Sequence, residues 1–423
     1  MDRIRVKGGR ELGGAIEVSG SKNAALPILA AAILVDGPIL LRQVPHLTDI
    51  DNLLRILQLV GVRSSRRPNG DLELEAVDKT IHDAPYDLVR TMRASFVLLG
   101  PLWARRGQAR VSYPGGCVIG HRPVDLHVKG LRALGARIDM SDGCITASGP
   151  VRGGVVYLGG HQGCTVLGTA NIVMAATLAT GTTYVEHAAM EPEVQDLCHF
   201  LNACGARIRG IGSHCLVVEG VDRLTGCEWT IIPDRIEAGT FLCGAVATNS
   251  NVSVTAVRPD HLLCVVDRLQ AAGAQFEIGD TFIRNVPTRT GRLTPVDITT
   301  LPYPGFPTDL QAQFMAVMAR AEGVSVITEK VYPERFIHAS ELVRLGARIR
   351  REGPSAIIEG TDQLTGAPVM ASDLRASAGL VLAGLIARGQ TDVRRVYHID
   401  RGYERIEQKL QHIGADIERI NEG

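Results

Sequence analysis

Six times along the chain, an apolar pattern with helical spacing runs into a Leu-x-x-x-Gly signal. Each signal is followed at once by a short strand-like stretch, at 57–62, 131–136, 201–206, 269–274, 342–347 and 410–415. The glycines Gly61, Gly135, Gly205, Gly273, Gly346 and Gly414 fall about 70 residues apart, too far for the rungs of a helical solenoid. Glycine accepts the left-handed backbone that closes a helix, so each signal predicts a helix stop with a strand directly after it. Upstream, a second apolar helix and strand recur, as at 175–179 with 183–186, 316–321 with 324–327 and 382–387 with 392–394. Downstream, most copies continue into two short strands. One unit therefore reads helix, strand, helix, strand, strand.

Six such units group three and three into two similar α/β domains, with the active site expected in the cleft between them. The proline-bearing stretch 285–308 then reads as a structured loop inside the second domain, not a linker.

Composition narrows the function. Lys plus Arg and Asp plus Glu both count 45 and aromatics make up 4%, so nothing supplies the basic excess or the stacking surface of a nucleic-acid binder. Lysine appears only six times and arginine supplies the remaining cations, the side chain suited to bidentate grip on phosphate and carboxylate. The first residues, MDRIRVKGGRELGG, are charged from the second position and lack the apolar core of a signal peptide, and the longest apolar stretch, 24–35, is too short to span a bilayer. A cytoplasmic protein with no membrane partner is the expectation. Nine cysteines with no C-x-x-C pair fit neither a disulfide framework nor a zinc site and read as reduced thiols. Cys144, Cys198, Cys243 and Cys264 stand in apolar or helix-like contexts, as core residues do.

Nucleotide-binding glycine loops and H-E-x-x-H are absent. Gly20-Ser-Lys-Asn-Ala-Ala-Leu-Pro27 instead sets Lys22 and Asn23 at the start of an apolar helix, where free N–H groups and the helix dipole favour a phosphate. It reads equally as an ordinary solvated helix start. Pro114-Gly-Gly-Cys117-Val-Ile-Gly-His-Arg122 presents a thiol on a glycine-flanked loop near a cation, a setting that favours thiolate chemistry, although a loop cysteine without chemistry fits as well. Arg93, Arg122, Arg335, Arg375 and Arg401 sit in different repeats; together they would make an anion site, singly they read as surface ion-pair partners. Met92-Arg-Ala-Ser95 and Leu374-Arg-Ala-Ser377 repeat one motif in the two halves. Asp309, in Phe-Pro-Thr-Asp-Leu, is either a general base or a helix cap.

Taken together, these segments resemble the UDP-N-acetylglucosamine 1-carboxyvinyltransferases, the MurA-type enolpyruvyl transferases. The likeness runs from Ser19-Gly-Ser-Lys-Asn-Ala-Ala-Leu-Pro27 to His398-Ile-Asp-Arg-Gly-Tyr-Glu-Arg-Ile-Glu407. The resemblance implies an inside-out α/β barrel of two domains: 22–232, carrying the Cys117 loop, and 1–21 with 233–423. It implies enolpyruvyl transfer from phosphoenolpyruvate to the 3-hydroxyl of UDP-N-acetylglucosamine, with no metal and no cofactor, and Cys117 as a target of fosfomycin. Position by position, it makes Lys22, Arg122 and Arg401 the grip on the phosphate, and Arg93, Arg335 and Arg375 carboxylate or cleft-closing partners. Asn23 contacts the amino sugar, and Pro123, Val124, Asp125, Leu126 and Asp373 complete the substrate contacts. Cys117 protonates the methylene carbon and can form a covalent adduct, Asp309 takes the sugar hydroxyl proton, and Lys22 and Arg401 complete the catalytic set. One departure stands out: a lysine that much of the family carries near the uridine diphosphate is missing from Gly159-Gly-His-Gln-Gly-Cys-Thr-Val-Leu-Gly168. The rivals are a related transferase acting on shikimate 3-phosphate or another nucleotide, and a silent UDP-sugar sensor.

Overall fold

The computed structural model describes residues 2–84, 93–113, 124–161 and 163–421, with backbone alone at 93 and 94. They fall into two compact units, one drawn from 20–232 and the other from 2–19 with 233–421, called here the first and the second.

Each unit is organised around helices that are apolar nearly all round. In the second unit these are Arg235–Ala247, Gln311–Met318 and Leu374–Ile386, which pack on one another. In the first unit, Lys22–Ala31 and Leu99–Arg106 both pack against Val166–Ala176. A helix with no polar face is stable only when enclosed, so these occupy the centre and the sheets lie around them. Their close approach requires glycine at two contacts: a Cβ on Gly100 would stand 2.3 Å from the Asn171 carbonyl oxygen, and one on Gly379 would stand 2.9 Å from that of Ala312. Truncating a fully buried leucine here, such as Leu380, costs about 2–5 kcal/mol through the cavity it leaves.

The helices that precede the six signals are one-faced instead. Thr48–Leu59, for example, buries Ile50, Leu53, Ile56 and Leu57 on one side. All six signal glycines have φ between +83° and +103°, the left-handed backbone expected of a helix stop.

The strands differ from the sequence reading in number. After five of the six helix stops come two antiparallel strands, as read for most copies, and after the sixth comes one, but each sheet has a fourth strand that runs parallel at one edge. One repeat illustrates the order: Val155–Tyr157 pairs parallel with Thr182–Glu186, which pairs antiparallel with Cys215–Glu219, which pairs antiparallel with Arg207–Arg209. Leu216 and Val218 face inward and their neighbours outward, the alternation of a half-buried strand. Six four-stranded sheets of this order, three per unit, are present among the described residues.

Three of the sheets are completed from far away in sequence. Arg3–Lys7 lies between Gln390–Arg394 and Asp416–Ile420, and Gly13–Glu17 forms the parallel edge beside Asn251–Thr255. Likewise Glu228–Thr230 forms the parallel edge beside Ile39–Arg42 in the first unit. The stretch 285–308 lies within the second unit and supplies the edge strand Ile298–Thr300.

Of the four cysteines read as core residues, Cys198 and Cys243 are buried, whereas Cys144 and Cys264 are half-buried; all eight described cysteines are free thiols. Among the described residues, no helix is long and apolar enough to cross a membrane.

Candidate active site

Two of the central helices of the second unit begin beside charged residues singled out above, where a loop enters the apolar core. Asp309 lies in the short turn Thr308–Leu310 that leads into Gln311–Met318. Its carboxylate accepts from Arg335 Nη1 at 2.8 Å and from Arg375 Nε at 3.1 Å. Both arginine side chains are almost fully buried and Asp309 is about a quarter exposed, at 27%. Arg335 and Arg375 are therefore buried ion-pair partners and not surface ones, and the Asp309 side chain is held between two guanidinium groups.

Asp373 caps the neighbouring central helix. Its Oδ1 accepts from the backbone N–H groups of Arg375 and Ala376, opening the helix Leu374–Ile386.

Further residues, none of them marked by sequence, hold this cluster. The Arg375 guanidinium lies over the Tyr403 ring, 5.3 Å from its centroid, and its Nη1 and Nη2 are buried without a geometric hydrogen bond among the described residues. The Tyr403 hydroxyl meets Thr240 Oγ1 at 2.9 Å and Gln313 Nε2 at 3.1 Å, and Gln313 Nε2 also donates to the Asp309 carbonyl at 3.1 Å. Glu329, fully buried, accepts from the hydroxyls of Thr300 and Thr308 and from the backbone N–H groups of Val331 and Tyr332. Thr308 Oγ1 in turn accepts from Arg335 Nη1 at 3.0 Å.

Electrostatics follow this geometry. Burial opposes the Arg335 charge, but Asp309, Asp373 and Glu329 outweigh it and its pKa lies above the ordinary value. Burial also opposes the Arg375 charge, and Tyr403, Asp309 and Asp234 outweigh it in the same sense. His338 is the opposite case: burial pushes it down to about 4, Asp373 pulling up and Arg335 down. Burial and the charge of Arg401 hold His398 below its ordinary value, against Asp373. Arg401, half-buried at the end of the turn Val396–Arg401, thus belongs to the same neighbourhood.

In the first unit, Lys22 opens the helix Lys22–Ala31, whose cap Ser21 accepts from the Ala24 N–H. Lys22 is buried, not solvated, and its Nζ stands 3.1 Å from Asp49 Oδ2, also buried. Asn23 beside it is half-buried. Val124 is buried, and Asp125 and Leu126 begin the helix Asp125–Ala133. Leu126 lies against the Gly159–Cys164 hairpin, since a Cβ on Gly160 would stand 3.0 Å from Leu126 Cδ1. Close to that hairpin, where the family lysine is missing, Lys129 Nζ stands 4.8 Å from the Tyr157 ring centroid. Arg93 starts the turn Arg93–Leu98. Cys117, Arg122 and Pro123 lie outside the described residues. Among the described residues, no group of three His, Cys, Asp or Glu side chains is placed to hold a metal ion.

The architecture is that of the enolpyruvyl transferases. The chain superposes on the enolpyruvyl transferase NikO from Streptomyces tendae with a TM-score of 0.89 at 26% identity, covering 99% of each chain. EPSP synthase from Acinetobacter baumannii shares the fold, with a TM-score of 0.74 at 18% identity over 100% of each chain. The chain belongs to the EPSP synthase (3-phosphoshikimate 1-carboxyvinyltransferase) family, whose model matches residues 6–410. Within it, the chain is 51% identical over 423 residues to the UDP-N-acetylglucosamine 1-carboxyvinyltransferase of Coxiella burnetii (strain Dugway 5J108-111), covering 100% of this chain and 96% of that protein. It is 52% identical over 422 residues to the protein of the same name from Methylacidiphilum infernorum, covering 99% of each.

Proposed function

We propose that the chain transfers the enolpyruvyl group of phosphoenolpyruvate to the 3-hydroxyl of UDP-N-acetylglucosamine in the cytoplasm, releasing phosphate, as the first committed step of peptidoglycan synthesis. The observation that carries this reading is the full-length likeness to proteins bearing that transferase's name. The charge arrangement in the second unit supplies the chemistry.

Protonation of C3 of phosphoenolpyruvate, assigned to Cys117, leaves a cationic C2. The sugar 3-hydroxyl adds there and its proton passes to Asp309, which two arginines hold in place as an acceptor. Phosphate then leaves with the C2–O bonding pair as C3 gives its proton back. Lys22, Arg122 and Arg401 are assigned to the phosphate of the donor. Arg375 Nη1 and Nη2, buried without a geometric hydrogen bond among the described residues, are suited to an anionic oxygen, which would offset the cost of burying two unmet donors. Asn23, Arg93, Pro123, Val124, Asp125, Leu126 and Asp373 are assigned to substrate contacts.

Phosphate release from phosphoenolpyruvate tests the reading. It should depend on UDP-N-acetylglucosamine and persist in EDTA, because cationic side chains hold the donor. Release that depends on shikimate 3-phosphate instead would overturn it.

A further inference from the structure

Cys204 and Cys227 are 23 positions apart, yet their sulfurs stand 3.4 Å from each other. Cys204 follows the helix Pro192–Ala203 and is 1% exposed, whereas Cys227 is half-buried, between the edge strands Leu224–Thr225 and Glu228–Thr230. The segment 224–232 lies along that helix as a strap. Thr225 N–H donates to the Cys204 carbonyl at 2.8 Å, Trp229 Nε1 donates to Asp196 Oδ1 at 3.1 Å, and the Phe200 and Trp229 rings meet edge to face.

A disulfide holds its sulfurs about 2.0 Å apart. The pair must therefore close by about 1.4 Å, within the swing of two side chains in segments already tied together by the bond from Thr225 N–H to the Cys204 carbonyl. We propose that Cys204 and Cys227 form a redox-responsive dithiol that closes to an intramolecular disulfide on reaction with a low-molecular-weight disulfide, stapling the strap to the helix. Cys227 is the attacking group because it is the more exposed, and its contact with the Cys204 sulfur holds its pKa below the ordinary value. The Cys227 thiolate attacks one sulfur of the external disulfide and expels the other half as a thiolate, leaving a mixed disulfide. Cys204 then gives up its proton to solvent and attacks the Cys227 sulfur, expelling the second half. Two protein thiols are oxidised to one disulfide, and the external disulfide is reduced to two thiols, so the electrons balance.

The test is incubation of the full chain with oxidised glutathione, then peptide mapping and thermal melting. The chain should lose two hydrogens and yield a cross-link between the tryptic peptides 153–207 and 224–235. Melting of the first unit should rise by roughly 4–10 °C and return after dithiothreitol. Cys204→Ala should trap glutathione on Cys227, and Cys227→Ser should leave Cys204 unmodified in the folded protein. A wild-type chain that keeps glutathione on Cys227, or that shows no cross-link while other half-buried cysteines react, would overturn the proposal, whichever variants fold.

Discussion

Replacing Asp309 by Asn removes one negative charge from between two buried guanidinium groups. The amide keeps one acceptor oxygen, so one of the two charge-assisted hydrogen bonds, at 2.8 and 3.1 Å, is lost and the other weakens. A hydrogen bond to a charged group contributes about 1.5–3 kcal/mol, and removing one partner of a fully buried pair costs about 3–5 kcal/mol. With Asp309 at 27% exposure, water softens the loss, and about 2–3 kcal/mol is the expected destabilisation. For a unit of this size that is roughly a 4–10 °C drop in melting temperature. If Asp309 also takes the hydroxyl proton, kcat should fall by roughly 10²–10⁴-fold. Adding Arg375→Met separates the two effects. The double variant loses one uncompensated buried cation, so it should melt above Asp309→Asn while staying inactive. Steady-state kinetics with a phosphate assay and calorimetry on the wild type and the two variants measure both. An Asp309→Asn enzyme that turns over within threefold of wild type would refute the assignment of the base, and a double variant that melts below the single one would refute the electrostatic reasoning.

Lys22→Ala should raise the KM for phosphoenolpyruvate and lower kcat/KM by roughly tenfold or more, from the loss of one charged contact; Asp49→Asn should reproduce part of this by freeing the lysine, and normal kinetics in both would remove the phosphate role. His338, with a folded pKa of about 4 against 6.5 when unfolded, stays neutral in the fold. The unfolded chain therefore binds the proton first, and stability is lost as pH falls from about 6.5 to 4, by up to about 3 kcal/mol. Urea melts of wild type and His338→Gln across that range should differ in slope, and parallel slopes would contradict the assignment. Fosfomycin should alkylate Cys117 alone, and Cys117→Asp should resist it while keeping activity; peptide mapping that finds several cysteines labelled equally would end the special role of this residue.

Much of the fold was legible because it is written locally. Six glycines at one spacing announce six helix ends, and all six adopt the backbone conformation that this requires. The fourth strand of each sheet was not legible. Such edges are as short as two or three residues, and those at 13–17 and 228–230 find partners more than 180 residues away, so no local pattern marks them. At the site, Asp309 stood out as a lone acid near the proline-bearing stretch, and Arg335 and Arg375 as arginines carried by different repeats. Their supports did not, because Tyr403, Thr240 and His338 are ordinary residues until the fold places them against an arginine or a carboxylate. Gln311 and Gln313 were not singled out either, although as the two polar residues of the otherwise apolar helix Gln311–Met318 they carry a signal that could have found them. Asp49 was hidden by its place in the first turn of Thr48–Leu59, where an acidic residue is expected in any case.

The strands Arg3–Lys7 and Gly13–Glu17 emerge from the ribosome before any of the chain they pair with. Their partners begin at Asn251 and Gln390, with Asp416–Ile420 last of all. At a synthesis rate of about 5–20 residues per second, the second strand waits roughly 10–50 s for its partner and the first waits longer still. Residues 20–232 contain a complete set of three sheets and can be finished meanwhile. During that interval the nascent chain carries two unpaired strand segments, which is the period in which a chaperone would bind it and in which two neighbouring nascent chains could exchange strands.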